Sequence, residues 1–323
     1  MGVTFSQFFP PAPTLTEANL PTQKGKVFIV TGGYSGIGFE LCTILYEAGG
    51  KVYLAGRSEE KSLDAIRRIK ASNTSSQGDI IYLPIQLDDL TTIKPAVEAF
   101  TKAESRLDVL FNNAGVSNPP RGSVSPQGHD LQLATNCLGP HLLTQLLLST
   151  LKRTAENQPP ASVRVVWTSS IVVDMSTPGD GVRLHELQDR KTHPQRNYEN
   201  TKLGNWFLAN ALSSQAGADG ILSVTVNPGN LKSALTRHFS PLVPFLVSPL
   251  LYPARKGAYT SLWAGLSDEL KISDGGKYII PWGRVHPSPR KDLVQAMNPR
   301  EDGERCNAQI FIDFCNEETM RFV

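Results

Sequence analysis

A short β-branched run that ends abruptly in a cluster of glycines constrains this chain more than anything else in it. Lys26-Val27-Phe28-Ile29-Val30-Thr31 is apolar enough to be a strand buried on both faces. Gly32-Gly33-Tyr34-Ser35-Gly36-Ile37-Gly38 follows at once, and Ile37–Ala48 then carries a helical pattern. A strand that turns into a helix within so few residues needs backbone conformations that side chains resist. Gly32 permits the tight turn, Gly36 lets a pyrophosphate approach the backbone, and Gly38 lets helix and strand pack closely. Tyr34, Ser35 and Ile37 complete the turn, whose amides face a phosphate with the positive end of the helix dipole.

The rest of the chain repeats that alternation. Strands are predicted at Lys51–Ala55, Asp79–Leu83, Leu107–Phe111, Val163–Trp167 and Leu222–Val226. Helices are predicted over Glu59–Ala71, near Thr91–Glu104, over Asp130–Leu151 with a kink at Pro140, and over Tyr198–Ser213. Tyr278–Gly283 reads as a last strand and its exit. Such alternation implies an α/β fold: a Rossmann-type doubly wound parallel sheet, with ligands at the carboxyl ends of its strands. No internal repeat or linker divides the chain. Residues 1–23 read as an N-terminal arm and 24–323 as a single domain, with a helical substrate lid at about 231–254 and a C-terminal extension at about 283–323.

Composition narrows the partners. A chain of 323 residues, 40% hydrophobic, can bury a sizeable core, and a net charge of +2 without basic runs argues against nucleic acid. Cys42, Cys137, Cys306 and Cys315 lack metal-ligand spacing, so no metal is expected; reduced thiols and a cytoplasmic location fit them, and only Cys306 and Cys315 are placed to pair. No signal peptide is expected. Met1-Gly2-Val3-Thr4-Phe5-Ser6 fits a myristoylation pattern, but a packed arm ahead of Pro10, Pro11 and Pro13 is the plainer reading. No transmembrane segment is expected, since the richest apolar stretch, Leu235–Tyr252, carries Arg237, His238 and three prolines. A homodimer is allowed by this composition.

Far downstream, Tyr198 and Lys202 stand four residues apart, one turn of a helix. With the glycine turn they carry a resemblance to the short-chain dehydrogenase/reductase family, which spans about Lys24–Lys256. TGxxxGIG is Thr31–Gly38, NNAG is Asn112-Asn113-Ala114-Gly115, and YxxxK is Tyr198–Lys202. The helix asparagine is Asn136 and the serine pair is Ser169-Ser170. Asn227-Pro228-Gly229 resembles the family's PG motif; Leu231 follows, and Ser233 stands where threonine is usual.

The resemblance implies catalysis by Asn136, Ser170, Tyr198 and Lys202. Hydride exchange between an alcohol and nicotinamide needs a proton to move on or off the oxygen. A free tyrosine, with a pKa near 10, is a poor base at neutral pH, and the charge of Lys202 beside the phenol favours phenolate. The family's lysine also binds the nicotinamide ribose, so Tyr198 and Lys202 count among the cofactor residues. Ser170, the second of its pair, would donate to the substrate oxygen, and Asn136 would hold a water linking Lys202 to solvent. Asn113, Ala114, Gly115, Pro228, Gly229, Leu231 and Ser233 are the further cofactor positions that the resemblance implies.

At the end of the second strand, NAD-preferring members carry an acid. Here Ala55-Gly56-Arg57-Ser58 has none. Gly56 leaves room for a 2′-phosphate, and Arg57 offers it a charged fork, with Ser58 and Lys61 nearby, so NADP is the expected cofactor. Gln86-Leu87 replaces the family's aspartate-containing pair at the adenine, and Asp88 and Asp89 are placed to cap the next helix. The segment Ile171–Asn197 is longer than the family needs and should fold over one edge of the site.

Leu231, Leu235, Phe239, Leu242, Val243, Phe245, Leu246, Leu250 and Leu251 make the expected lid apolar, which suits a sizeable lipophilic ketone, aldehyde or alcohol. The tail is a second candidate to close the pocket. The layout resembles a subgroup common in fungi, some of whose members act in secondary metabolism. An oxidoreductase is expected. A cyclase or isomerase on this fold would keep every motif, and an NADP-sensing binding protein would tend to lose Tyr198, Lys202 or Ser170.

Overall fold

The structure, a computed structural model, describes residues 2–232 and 251–323. Most of the expected lid, with Ser233, Leu235, Phe239 and Phe245, lies outside the described residues. The strands are β1 (Val27–Thr31), β2 (Lys51–Gly56), β3 (Asp79–Pro84), β4 (Val109–Asn112), β5 (Val163–Thr168), β6 (Ile221–Val226), β7 (Tyr278–Ile280) and β8 (Arg284–Val285). They form one sheet in the order β3-β2-β1-β4-β5-β6-β7-β8. All neighbours run parallel except β8, which turns back antiparallel on β7. The doubly wound parallel sheet is as expected, and β8 adds an antiparallel edge strand, because the tight turn at 281–283 allows only a hairpin. Every residue of β1, β5 and β6 is buried, which explains their unbroken apolar runs.

The helices are α1 (Val3–Phe8), α2 (Gly36–Glu47), α3 (Glu59–Ser72), α4 (Ile93–Ala103), α5 (131–155), α6 (Val172–Met175), α7 (Leu184–Gln188), α8 (Pro194–Ala216), α9 (Ala254–Leu266), α10 (Lys291–Gln295) and α11 (Asn307–Thr319). Alternate side chains of each strand serve two cores. Phe28, Val30, Phe111 and Val224 pack with α2, α3 and α9, while Ile29, Leu110 and Val165 pack with α4, α5 and α8. Chain order reverses between β1 and β4, so their carboxyl ends open the crevice where a ligand can enter.

Three local features refine the reading of the sequence. The disturbance expected at Pro140 takes the form of a π turn over Ala134–Leu138 just ahead of it, after which α5 runs on. Proline has no N–H for the Asn136 carbonyl, and the widened turn absorbs that loss. Helix α8 begins at Pro194, capped by His193, so Tyr198 sits on its second turn. Cys306 and Cys315, like Cys42 and Cys137, are free thiols, as expected of reduced cysteines.

The segments around the sheet hold one another. The long segment before α8 forms α6 and α7, and the C-terminal extension braces it from behind. Arg290 donates to the Thr177 carbonyl at 2.9 Å, and Asn307 bonds both backbone groups of Val182 at 2.7 and 3.0 Å. Phe311 of α11 packs on Gly204 of α8. The extension is therefore chiefly a buttress. Pro281 and Trp282, at the exit of β7, reach the Gly229 turn. Among the described residues no helix is long and apolar enough to cross a membrane.

Candidate active site

The glycine turn forms a cradle with its walls fixed by sterics. Gly32 and Gly36 have φ of +68° and +55°, which side chains resist, and nothing lies within 4 Å of where a Gly36 side chain would begin. That open space beside the first amides of α2 fits a pyrophosphate. A Cβ on Gly38 would run into the Gly32 carbonyl and Asn113, and one on Gly33 would meet Leu54 at 2.7 Å and Cys42 at 2.9 Å. Thr31 ties this turn to the next motif: its hydroxyl receives the amides of Asn113 and Ala114 at 3.0 and 2.9 Å, and its carbonyl receives Asn113 Nδ2 at 2.9 Å.

Three distant motifs meet at Gly115, where a Cβ would stand 3.3 Å from both Asn136 Oδ1 and Lys202 Nζ. Asn136 is spent as a clip. It receives the Val116 amide at 2.8 Å and donates to the Val116 carbonyl at 3.0 Å and to Thr201 Oγ1 at 3.1 Å. Lys202 Nζ lies 5.6 Å from the Tyr198 ring centre and donates to the Thr168 carbonyl at 3.0 Å. Ser169 Oγ donates to the Lys202 carbonyl at 2.7 Å, a structural duty that leaves Ser170 as the serine facing Tyr198. Burial pushes the Tyr198 phenol up, against a hydrogen bond with Ser170 and contrary to the expected pull of Lys202 toward phenolate, and it pulls the Lys202 ammonium down to about 8.

The adenosine end differs from expectation. Gly56 does not leave open room: the Tyr34 ring lies over it, and a Cβ there would stand 2.7 Å from that ring. The glycine is needed because an aromatic residue of the glycine turn fills its space. Arg57 and Lys61 are exposed beside it, while Ser58 caps α3 by accepting the Lys61 amide at 3.4 Å. Gln86 is half-buried with its amide 3.4 Å from Asp88, and Leu87 is buried against Gly139. Only Asp89 caps the next turn, accepting the Thr91 amide. Asp88 does not; its carboxylate faces Gln86 instead.

At the nicotinamide end, Pro228 is buried and Gly229 has a φ of +91°, with Trp282 3.0 Å from where its Cβ would be. Leu231 puts its side chain into the core against Gly257 and Ile37. Ser233 lies outside the described residues. Sequence reasoning missed Tyr278 as a site residue: its hydroxyl donates to the Ser170 carbonyl at 2.6 Å. It also missed Gln7, Asp174 and Asn227, joined across separations of 167 and 220 residues, where no local pattern could signal the contact. Two hollows of about 130 and 230 Å³ border α11, and no motif residue lines either. Among the described residues no cluster of metal-ligating side chains forms.

Fold and site together define a dinucleotide-binding oxidoreductase of the doubly wound class. The sequence model of the short chain dehydrogenases matches residues 26–182. A short-chain dehydrogenase/reductase of Phomopsis amygdali is 44% identical, over 99% of this chain and 97% of that one. The short-chain dehydrogenase/reductase iacJ of Pestalotiopsis fici is 41% identical, over 99% and 98%. Among solved structures, the RhlG/NADP active-site complex of Pseudomonas aeruginosa has a TM-score of 0.63 at 24% identity, over 82% of this chain and 98% of that one. This chain belongs to the short-chain dehydrogenase/reductase family, whose members bind NAD or NADP.

Proposed function

We propose that the chain is an NADP-dependent carbonyl reductase acting on a sizeable lipophilic ketone, aldehyde or alcohol, with a place in secondary metabolism. The observation that carries the reading is the grouping of Tyr198, Lys202 and Ser170 beside the Gly115 turn. Burial raises Tyr198 above its ordinary value, so at neutral pH it stands protonated, ready to give a proton. The reduced dinucleotide, when bound, supplies the hydride. As the carbonyl oxygen gains charge, Ser170 donates a hydrogen bond to it and Tyr198 transfers its proton, giving the alcohol. Lys202, held near 8, can gain or lose a proton near neutrality and return one to the phenolate. The side chain of Asn136 is fully engaged, so a water would rest on its main-chain carbonyl, to which Pro140 has no N–H to offer.

Gly32, Tyr34, Ser35, Gly36, Ile37 and Gly38 would hold the pyrophosphate. Asn113, Ala114, Gly115, Pro228 and Gly229 would flank the nicotinamide, and Gln86 and Leu87 would border the adenine. Leu231 would contribute backbone groups, its side chain being in the core. Preference for NADP rests on exposed Arg57, with Lys61 and without an acid at the end of β2. The P. aeruginosa neighbour holds NADP, and the full-length relatives come from fungi, which agrees with this reading. The test is NADPH and NADH oxidation with a panel of lipophilic carbonyls graded by size. NADPH-dependent turnover that favours large substrates is expected. Cofactor binding without redox turnover of any member would overturn the reductase assignment.

A further inference from the structure

Helix α1 lies outside the sheet and its two helix layers, yet its one fully buried side chain is polar: Gln7 is 1% exposed, whereas Phe5 and Phe9 are 48% and 51% exposed. A short helix built to seal a core would do the reverse. Both ends of the Gln7 amide are committed. Its Nε2 donates to Asp174 Oδ2 at 2.8 Å, and its Oε1 accepts Asn227 Nδ2 at 2.7 Å. Arg284 and Tyr252 clamp the helix by donating to the carbonyls of Ser6 and Phe8 at 2.9 and 3.1 Å.

The two partners of Gln7 are hinges of the active site. Asp174 lies on α6, four residues after Ser170, and also meets His286 Nε2 at 3.1 Å. The His286 ring packs edgewise on Tyr278, whose hydroxyl holds the Ser170 carbonyl. Asn227 precedes the Pro228-Gly229 turn, and its Oδ1 accepts the Gly229 amide at 3.0 Å. One amide group therefore sets the spacing between the segment carrying the oxygen-binding serine and the turn beside the nicotinamide.

We propose that the N-terminal arm is a working part of this active site and that Gln7 is a positioning residue, aligning Ser170 with the Pro228-Gly229 turn through Asp174 and Asn227. The proposal rests on the reductase reading above. Its physical basis is the sensitivity of hydride and proton transfer to alignment, where a displacement of about 1 Å can cost about a hundredfold in rate.

The experiment uses the full chain. Gln7→Leu keeps the bulk and removes both hydrogen bonds. It should lower kcat about tenfold to a hundredfold, with KM for NADPH changed by no more than about twofold. Gln7→Glu should be as poor, because it sets two carboxylates together. Adding Asp174→Asn exchanges donor and acceptor, so the new amide at position 174 can donate to the carboxylate at position 7, and kcat should recover. A fall in melting temperature with unchanged kcat, or no recovery in the double variant, would overturn the proposal. Hydrogen–deuterium exchange of wild type and Gln7→Leu separates this from the reductase reading. Amides of residues 170–176 and 227–230 should exchange faster in the variant even if no carbonyl is turned over. Unchanged exchange there would sink the arm's role whatever the reaction is.

Discussion

The cofactor cradle and the frame around Ser170 reach comparable order by opposite means. The cradle is held by exclusion: Gly33 and Gly38 have no space for a side chain, and Thr31 binds the neighbouring motif through three short hydrogen bonds. The frame is held by polar side chains from the arm, α6, the end of β6 and the β7–β8 hairpin. Steric exclusion leaves a mark at the position concerned, because only glycine fits. A hydrogen bond between distant side chains leaves none, because Gln, Asp and Asn are common everywhere. The two regions should therefore also fail differently, the cradle in affinity and the frame in rate.

The largest effect should arise where the two meet. Tyr198→Phe removes the proton donor while keeping the ring, so kcat should fall by about 10³-fold or more while NADPH affinity and folding persist. Stopped-flow turnover with parallel cofactor titration checks this, and near-wild-type turnover would place the chemistry elsewhere. Arg57→Ala should act on the cradle side alone. A charge-assisted bond to a 2′-phosphate is worth about 1.5–3 kcal/mol, so NADPH should weaken by that amount while NADH and saturated kcat stay put. Equal losses for both cofactors would make Arg57 structural.

Tyr278→Phe probes the frame alone. Losing one buried hydrogen bond should cost about 1 kcal/mol of stability and lower kcat severalfold, with cofactor affinity intact. A variant that instead weakened NADPH would blur the division between the regions. A further effect is one of stability and pH. Lys202 has an ordinary value of 10.5 that burial lowers to about 8. Below pH 8 the folded protein carries the full cost of the buried ammonium, and between about 8 and 10.5 the unfolded chain binds more protons. Wild type should therefore gain stability relative to Lys202→Met as pH rises through that window. Asn205 still bonds the Thr168 carbonyl at 2.9 Å, so the substitution leaves no orphan there. Melting curves at pH 7 and pH 10 that show no change in the difference would mean the lysine is not buried as a cation.

What could be read along the chain was whatever local physics dictates. The strand before Gly32, the positive-φ turn, the one-turn spacing of Tyr198 and Lys202, and the missing acid after β2 are each visible within a few residues, and together they define the fold class and the proposed catalytic group. Even there, one local inference failed in a telling way: Gly56 is small because Tyr34 covers it, which is a contact between two strand ends. Pro140 was legible as a disturbance, but its relief by a π turn depended on how α5 packs. The roles of Gln7, Asp174, Asn227 and Tyr278 arose only when the sheet brought residues more than a hundred positions apart within hydrogen-bonding distance. Sequence by itself determined the glycine turn, the candidate reacting side chains and their order, because sterics and helical periodicity act between neighbours. Tertiary structure alone decided which polar groups hold those side chains in register, because an amide's partner is chosen by where the fold places it.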